Sequence, residues 1–360
     1  MIDVVISFSW QIQSFFTFFH LKSAKIDLIS FERTFFMKKH KLIIWATSIV
    51  LMFAICFSST SNVFADTSTL NHAYVVYGAG TSNEVRSKLD NIFGVDSSFK
   101  KLTATATDYD KYIANGNSST TNAAMISSVA IAPADPGSGV KVNIENYEGD
   151  NNITEVTAQQ YAMVAQMAGV TDVTIVVTAN RPVSGESALT GVYKALAADG
   201  VNLNTKNTAS ANKMLNATQA AIDANKTDNE YPGKLMASVG EVSKEISKRK
   251  QANNQDLATK QDIQTMLDTA LKKQGIENQT SNSQKQTIVN ALVSFQNSPI
   301  AADKSYTQTV NNTIENVKDS TGNLMNKAKD WMNSETGQNF LSQIQNWLDQ
   351  LFNWIKNLFN

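Results

Sequence analysis

Near residue 205 the character of the chain changes, and that change limits the fold more than any other feature. Before it, short β-branched runs alternate with helical patterns; after it no convincing strand pattern occurs. The division implies an α+β protein. A small mixed β-sheet domain with packed helices, residues 70–204, precedes an all-helical region, residues 205–333. An amphipathic C-terminal helix, residues 334–360, ends the chain.

Local signals fill in the first block. Ala73-Tyr74-Val75-Val76-Tyr77 is a β-type run ended by Gly78-Ala79-Gly80. Thr81 and Glu84 have capping-box spacing, and Val85, Leu89 and Ile92 continue at helical intervals to Gly94. Residues 125–131 and 140–144 read as a two-strand hairpin turned by Asp135-Pro136-Gly137-Ser138-Gly139. Thr157 and Gln160 predict a second capping box and a helix to Ala168, stopped by Gly169. Residues 173–177 form a buried-type strand, and Ser184-Gly185 opens a helix to about Ala198, with Ser184 as N-cap. Beyond residue 205 the spacing predicts helices over roughly 208–225, 234–253, 258–274, 283–295, 306–331 and 337–359. Pro232 and Pro299 fall between them.

The N-terminus reads as a targeting segment rather than as part of the fold. Met37-Lys38-Lys39-His40-Lys41 is a basic start, and residues 42–57 are apolar except for Thr47 and Ser48. Val63-Phe64-Ala65 fits the small-x-small rule, so residues 37–65 are expected to be a signal peptide cleaved between Ala65 and Asp66. An uncleaved anchor is the alternative, but a membrane span needs ~20 residues. Cys56 follows Ile55 where lipidation requires a small residue. Residues 1–36 read as an upstream start or an extended n-region. Cleavage would deliver a secreted or cell-envelope protein without cysteine, which suits a Gram-positive envelope.

Composition then excludes several chemistries. Removing residues 1–65 takes away six basic and three acidic residues, leaving 25 against 29 and a net charge of −4. That balance lacks the basic excess of nucleic-acid binders. Cys56 leaves with the signal peptide and His72 becomes the sole histidine, so ordinary zinc, thiol and histidine-based chemistry is excluded. No cofactor, metal or catalytic residue is expected. Gly78-Ala79-Gly80 lacks the third glycine of a dinucleotide fingerprint, since Asn83 stands there. Gly185-Glu186-Ser187-Ala188-Leu189 has leucine where a nucleophile elbow needs glycine. Asp150-Asn151-Asn152-Ile153-Thr154-Glu155 starts like a calcium loop, but Glu155 takes the glycine place and Tyr161 the bidentate glutamate place. Asp108/Asp110 and Glu145/Glu148/Asp150 are possible carboxylate pairs without specificity.

The run Val183-Ser184-Gly185-Glu186-Ser187-Ala188-Leu189-Thr190-Gly191-Val192-Tyr193-Lys194-Ala195 resembles the signature of DUF1002, the YpuA-like secreted proteins of Firmicutes. Gly137-Ser138-Gly139-Val140 and Ala168-Gly169-Val170 match as well. Ser334-Glu335-Thr336-Gly337-Gln338-Asn339-Phe340 precedes an aromatic terminal helix, as in those proteins. This chain departs in its extra N-terminus and in an Asn/Gln-rich helical half. The resemblance implies export and domain limits and carries over no catalytic residue.

The terminal helix is the most informative feature for function. Phe340, Leu341, Ile344, Trp347, Leu348, Leu351, Phe352, Trp354, Ile355, Leu358 and Phe359 recur at spacings of three and four, opposite Ser342, Gln345, Asn346, Asp349, Asn353 and Lys356. Half-burial of that stripe is worth roughly 10 kcal/mol, so something covers it. The protein itself, a second copy, an envelope partner and a membrane surface are the candidates; Lys356 as lone cation argues against the last. The reading is a non-enzymatic secreted or envelope-associated protein, and the alternative a carboxylate-dependent hydrolase of a cell-wall polymer.

Overall fold

The computed structural model describes residues 69–252, 257–317 and 324–358. All belong to the second of two compact units, Val63–Asn360. The expected signal peptide, its cleavage site and Cys56 lie outside the described residues. So do Phe359 and the side chains of Trp347, Leu348, Leu351, Phe352, Trp354, Ile355 and Leu358.

Five strands form one mixed sheet: β1 (Ala73–Gly78), β2 (Phe99–Ala104), β3 (Ser128–Pro133), β4 (Val140–Ile144) and β5 (Val173–Thr178), in the order β2-β1-β3-β5-β4. β3 runs antiparallel to both neighbours, whereas β1 and β2, like β4 and β5, are parallel. This corrects the expected hairpin, because β5 sits between β3 and β4. The reason is legible in β5 itself. Its six residues are Val, Thr or Ile and all are buried, the composition of a strand covered on both faces. β4 alternates buried Val140 and Val142 with half-buried Lys141 and Asn143, and so takes the edge. The opposite edge strand, β2, gives little sequence signal because Lys100 and Lys101 interrupt its apolar pattern.

The helices are α1 (Asn83–Phe93), α2 (Ala158–Ala168), α3 (Glu186–Ala198), α4 (Thr205–Ala224), α5 (Tyr231–Ala252), α6 (Lys260–Lys273), α7 (Asn282–Gln296), α8 (Lys304–Asn316), α9 (Leu324–Asn333) and α10 (Glu335–Leu358). The α2 cap is reciprocal as expected: the Gln160 N–H donates to Thr157 Oγ1 at 3.2 Å and the Thr157 N–H to Gln160 Oε1 at 3.0 Å. At α1 the cap is Ser82, not Thr81, whose hydroxyl turns back to donate to Gly78 O at 2.7 Å. At α3, Gly185 replaces Ser184 as N-cap, with φ 109° and no side-chain bond. Pro232 occupies the first turn of α5, where its missing N–H costs nothing. The single helix expected over 306–331 is divided into α8 and α9.

Both faces of the sheet are covered. Tyr74, Val76, Val129, Ile131, Val142 and Ile175 pack on one side into a core shared with α2 to α8, continuous across residue 205. Smaller residues, Ala73, Val75, Ala130 and Ala132, meet α1 and α9 on the other. The crossovers β1-α1-β2 and β4-α2-β5 step in the same direction along parallel strands with their helices on opposite faces. They are therefore of opposite hand, and one departs from the right-handed rule.

α8 closes the outer edge of β4 with side chains. The Val140 N–H donates to Thr313 Oγ1 at 2.9 Å, and the Asn316 amide donates to Ser138 O at 2.9 Å and Val140 O at 3.1 Å. Asn312 donates to Gly137 O. Gly139 permits this approach: its φ is +70°, and a Cβ there would lie 2.7 Å from the Thr313 backbone nitrogen. Gly139→Ala is therefore expected to lower unfolding free energy by about 1–3 kcal/mol, measured by urea denaturation.

Candidate functional site

The signature helix α3 is held at close range to the sheet. A Cβ on Gly191 would fall 2.7 Å from Val129 Cγ1, so glycine sets how near the helix lies. Gly185 is equally constrained, because a Cβ there would meet the Tyr161 hydroxyl at 2.5 Å; that hydroxyl donates to Gly185 O at 2.6 Å. Ser187, the residue in the nucleophile place, is buried and shares a 2.5 Å hydrogen bond with Ser127. Ser127 Oγ also accepts from the Ala188 N–H at 2.9 Å. Both serines are spent on docking the first turn of α3.

Polar residues further along α3 fasten residues 106–114 to it. The Tyr109 hydroxyl donates to Glu186 at 2.8 Å, and Lys194 pairs with Asp108 at 2.6 Å. Burial raises Tyr109 above its ordinary pKa, with Glu186 adding to the shift. Burial pushes Asp108 upward, but hydrogen bonds from Lys194 and Thr105 outweigh it and leave the carboxyl below its ordinary 3.8. Asp108 is thus a fixed anion. Asp110, its expected partner, instead accepts the Ser118 N–H at 3.0 Å. Glu148 pairs with Lys88 at 2.7 Å and Glu145 accepts from Asn143 at 2.8 Å. Asp108, Asp110, Glu145 and Glu148 thus each have a hydrogen-bond partner of their own within the fold.

The Gly78–Gly80 turn is occupied by the protein's own backbone. The Ala79 N–H donates to Ala104 O at 2.9 Å and the Gly80 N–H to Met125 O at 2.8 Å. A Cβ on Gly78 would stand 2.2 Å from Met125 O. In the calcium-like loop, Asn151 Oδ1 accepts the Ile153 N–H and the Asn152 amide donates to Ala179 O, so its donors serve the fold. Among the described residues no cluster of three metal-ligating side chains occurs.

His72 has a structural partner that sequence spacing did not disclose. Its Nδ1 lies 2.7 Å from Asp199 Oδ1, which also accepts from the Tyr74 hydroxyl at 2.9 Å. The Asn71 N–H donates to the other oxygen. A buried carboxylate just past α3 thereby fixes the start of β1. The two residues lie 127 positions apart, so no local pattern connects them.

At the other end, α9 anchors on the sheet through buried Met325 and Ala328. Lys329 pairs with Asp96 at 2.7 Å and, with Ser98, holds that carboxyl at about 2. Trp331 then meets Phe340 of α10, ring centroids 6.0 Å apart. Phe340, Leu341 and Ile344 are half-buried, whereas Ser342, Gln345, Asn346, Asp349, Asn353 and Lys356 are exposed. The expected polar face of α10 does face solvent. Among the described residues no helix is long and apolar enough to cross a membrane.

These features define an α+β protein with a five-stranded mixed sheet, a closely docked glycine-bearing helix and a helical half fused to one core. A family model described as protein of unknown function (DUF1002) matches residues 77–313, and the chain belongs to that family. The uncharacterized protein YpuA of Bacillus subtilis (strain 168) is 29% identical over 277 residues, covering 75% of this chain and 83% of that relative. No solved structure matches the chain. The family match begins in β1 and ends in α8, so α9 and α10 lie beyond it.

Replacing Lys194 by Met should cost about 1–3 kcal/mol, because it strands a largely buried carboxylate. The lowered Asp108 sets the sign with pH. The pair stabilises fully above the ordinary carboxylate value and loses its contribution as pH falls through the folded value. The wild-type and Lys194→Met unfolding curves should therefore differ at neutral pH and converge as pH falls below the ordinary carboxylate range.

Proposed function

We propose that this protein acts outside the cytoplasm, at the cell envelope, as a non-enzymatic contact protein whose helix α10 lies on a membrane surface. One observation carries the reading. The polar face of α10 is exposed, while Leu257 is the one exposed large apolar side chain among the described residues of the body. The body thus buries its own apolar surface, which supports assigning the apolar stripe of the α10 sequence to a surface outside it. α10 spans 24 residues, about 36 Å, and its sequence carries Trp347 and Trp354, residues that favour the membrane interface. With few charges on the helix, apolar burial rather than attraction to anionic lipid supplies the affinity. Export rests on the basic start at Met37, the apolar run of residues 42–57 and Ala65.

In fractionated native cells the processed protein should start at Asp66 and sediment with membranes, and a form lacking residues 334–360 should move to the medium. Added liposomes should blue-shift the tryptophan emission of the full chain, and Leu348→Asp with Leu351→Asp should abolish that shift. An unchanged spectrum, together with a truncated chain that unfolds more easily, would dispose of the membrane contact and return α10 to self-packing. Concentration-dependent dimerisation lost on truncation would assign the stripe to a second copy.

A further inference from the structure

A groove of about 500 Å³ opens where the carboxyl end of β4 meets the turn between α4 and α5. A second cavity of about 320 Å³ adjoins it at Gln159 and Asn229 and reaches Gln274 at the end of α6; the two together are called the trough. The position, beyond the carboxyl end of a parallel strand, is where open sheets commonly receive ligands. Its walls come from β4, the loop of residues 151–157 that starts like a calcium loop, α2, α4 and the turn at residues 226–229.

The lining restricts what could occupy it. Four side-chain amides, Asn143, Asn151, Gln159 and Asn229, line the groove, and among the described residues no hydrogen bond uses those of Gln159 or Asn229. Buried Ile153 and Ile222 supply an aliphatic floor. The lysines at the rim are committed, Lys226 to Asp223 at 3.1 Å and Lys234 to Glu230 at 2.8 Å. Glu155 and Asp228 leave the trough slightly acidic, which opposes a polyanion. From these features we infer that the trough binds a neutral carbohydrate chain bearing N-acetyl groups.

An acetamido group carries a donor, an acceptor and a methyl, and amides above an aliphatic floor satisfy all three. Sugar hydroxyls, each both donor and acceptor, use the remaining amide positions. An extended peptide would have the same amides but normally adds to an open strand edge. At the start of β4 the outer edge is taken by Thr313 and Asn316 of α8, which leaves a peptide at most the short run Val142–Ile144. Two adjoining cavities suit several linked sugar units rather than one.

The test is calorimetric titration of the purified full chain with a chitin oligosaccharide, beside a glucose oligomer of equal length and an uncharged Gly-Ser peptide. Only the N-acetylated oligomer should bind. Gln159→Ala and Asn229→Ala should each weaken binding about threefold to tenfold, with the melting temperature unchanged. Absence of binding at millimolar oligosaccharide overturns the inference. So does equal or better binding of the glucose oligomer or the peptide, or affinity indifferent to both substitutions. The measurement needs neither export nor α10, so its outcome is separate from that of the membrane contact.

Discussion

A hydroxyl and an amide, Thr313 and Gln166, stand at the junction on which the rest of the architecture depends. Gln166 of α2 donates to Thr309 at 3.0 Å and accepts from Thr313 at 2.7 Å, while Thr313 accepts the Val140 N–H of the edge strand. All three side chains are buried. In that low-dielectric setting, each unmade bond would cost more than a made one contributes, so the seam fixes how the helices meet the sheet. It also blunts the edge strand at its start, where α8 takes the outward N–H and C=O of Val140 with side chains rather than with a further strand. The helical half is thus bound to the sheet by directional bonds as well as by the shared apolar core.

The same logic explains what the residues of the resembling run on α3 do in the fold. Gly185 and Gly191 permit approaches that a Cβ would block, Ser187 and Ser127 satisfy each other in the first turn, and Glu186 and Lys194 recruit residues 106–114. Every polar residue named there has a partner within the fold. A signature of this kind marks a demanding packing problem.

The sequence exposed the elements whose causes are local. The α2 capping box, the left-handed Gly94 and Gly169 stops, β1 and β5 were all legible because each depends on neighbours within a few residues. Sheet order was not. Whether residues 140–144 pair with β3 or beyond β5 is decided by which strand is apolar on both faces, a comparison across the whole sheet. Asp199 escaped for a related reason: a lone aspartate after a helix becomes meaningful only once His72 and Tyr74 are folded against it. The trough at Gln159 and Asn229 is a further case, since it joins residues 151–159 to residues 222–232, which no local pattern connects.

The family match ends in α8, the helix that closes the sheet edge, so the matched span contains the clasp that completes the body. The two helices beyond it have a different character. α9 is held by a small apolar contact and an ion pair to Asp96, and α10 packs mainly on α9 through Trp331 and Phe340. A body that buries its own apolar groups gains nothing from a further amphipathic helix unless that helix serves a surface outside it. The aromatic stripe in the α10 sequence and its sparsely charged polar face fit the proposed contact with an external surface, with α9 as the element that joins α10 to the body.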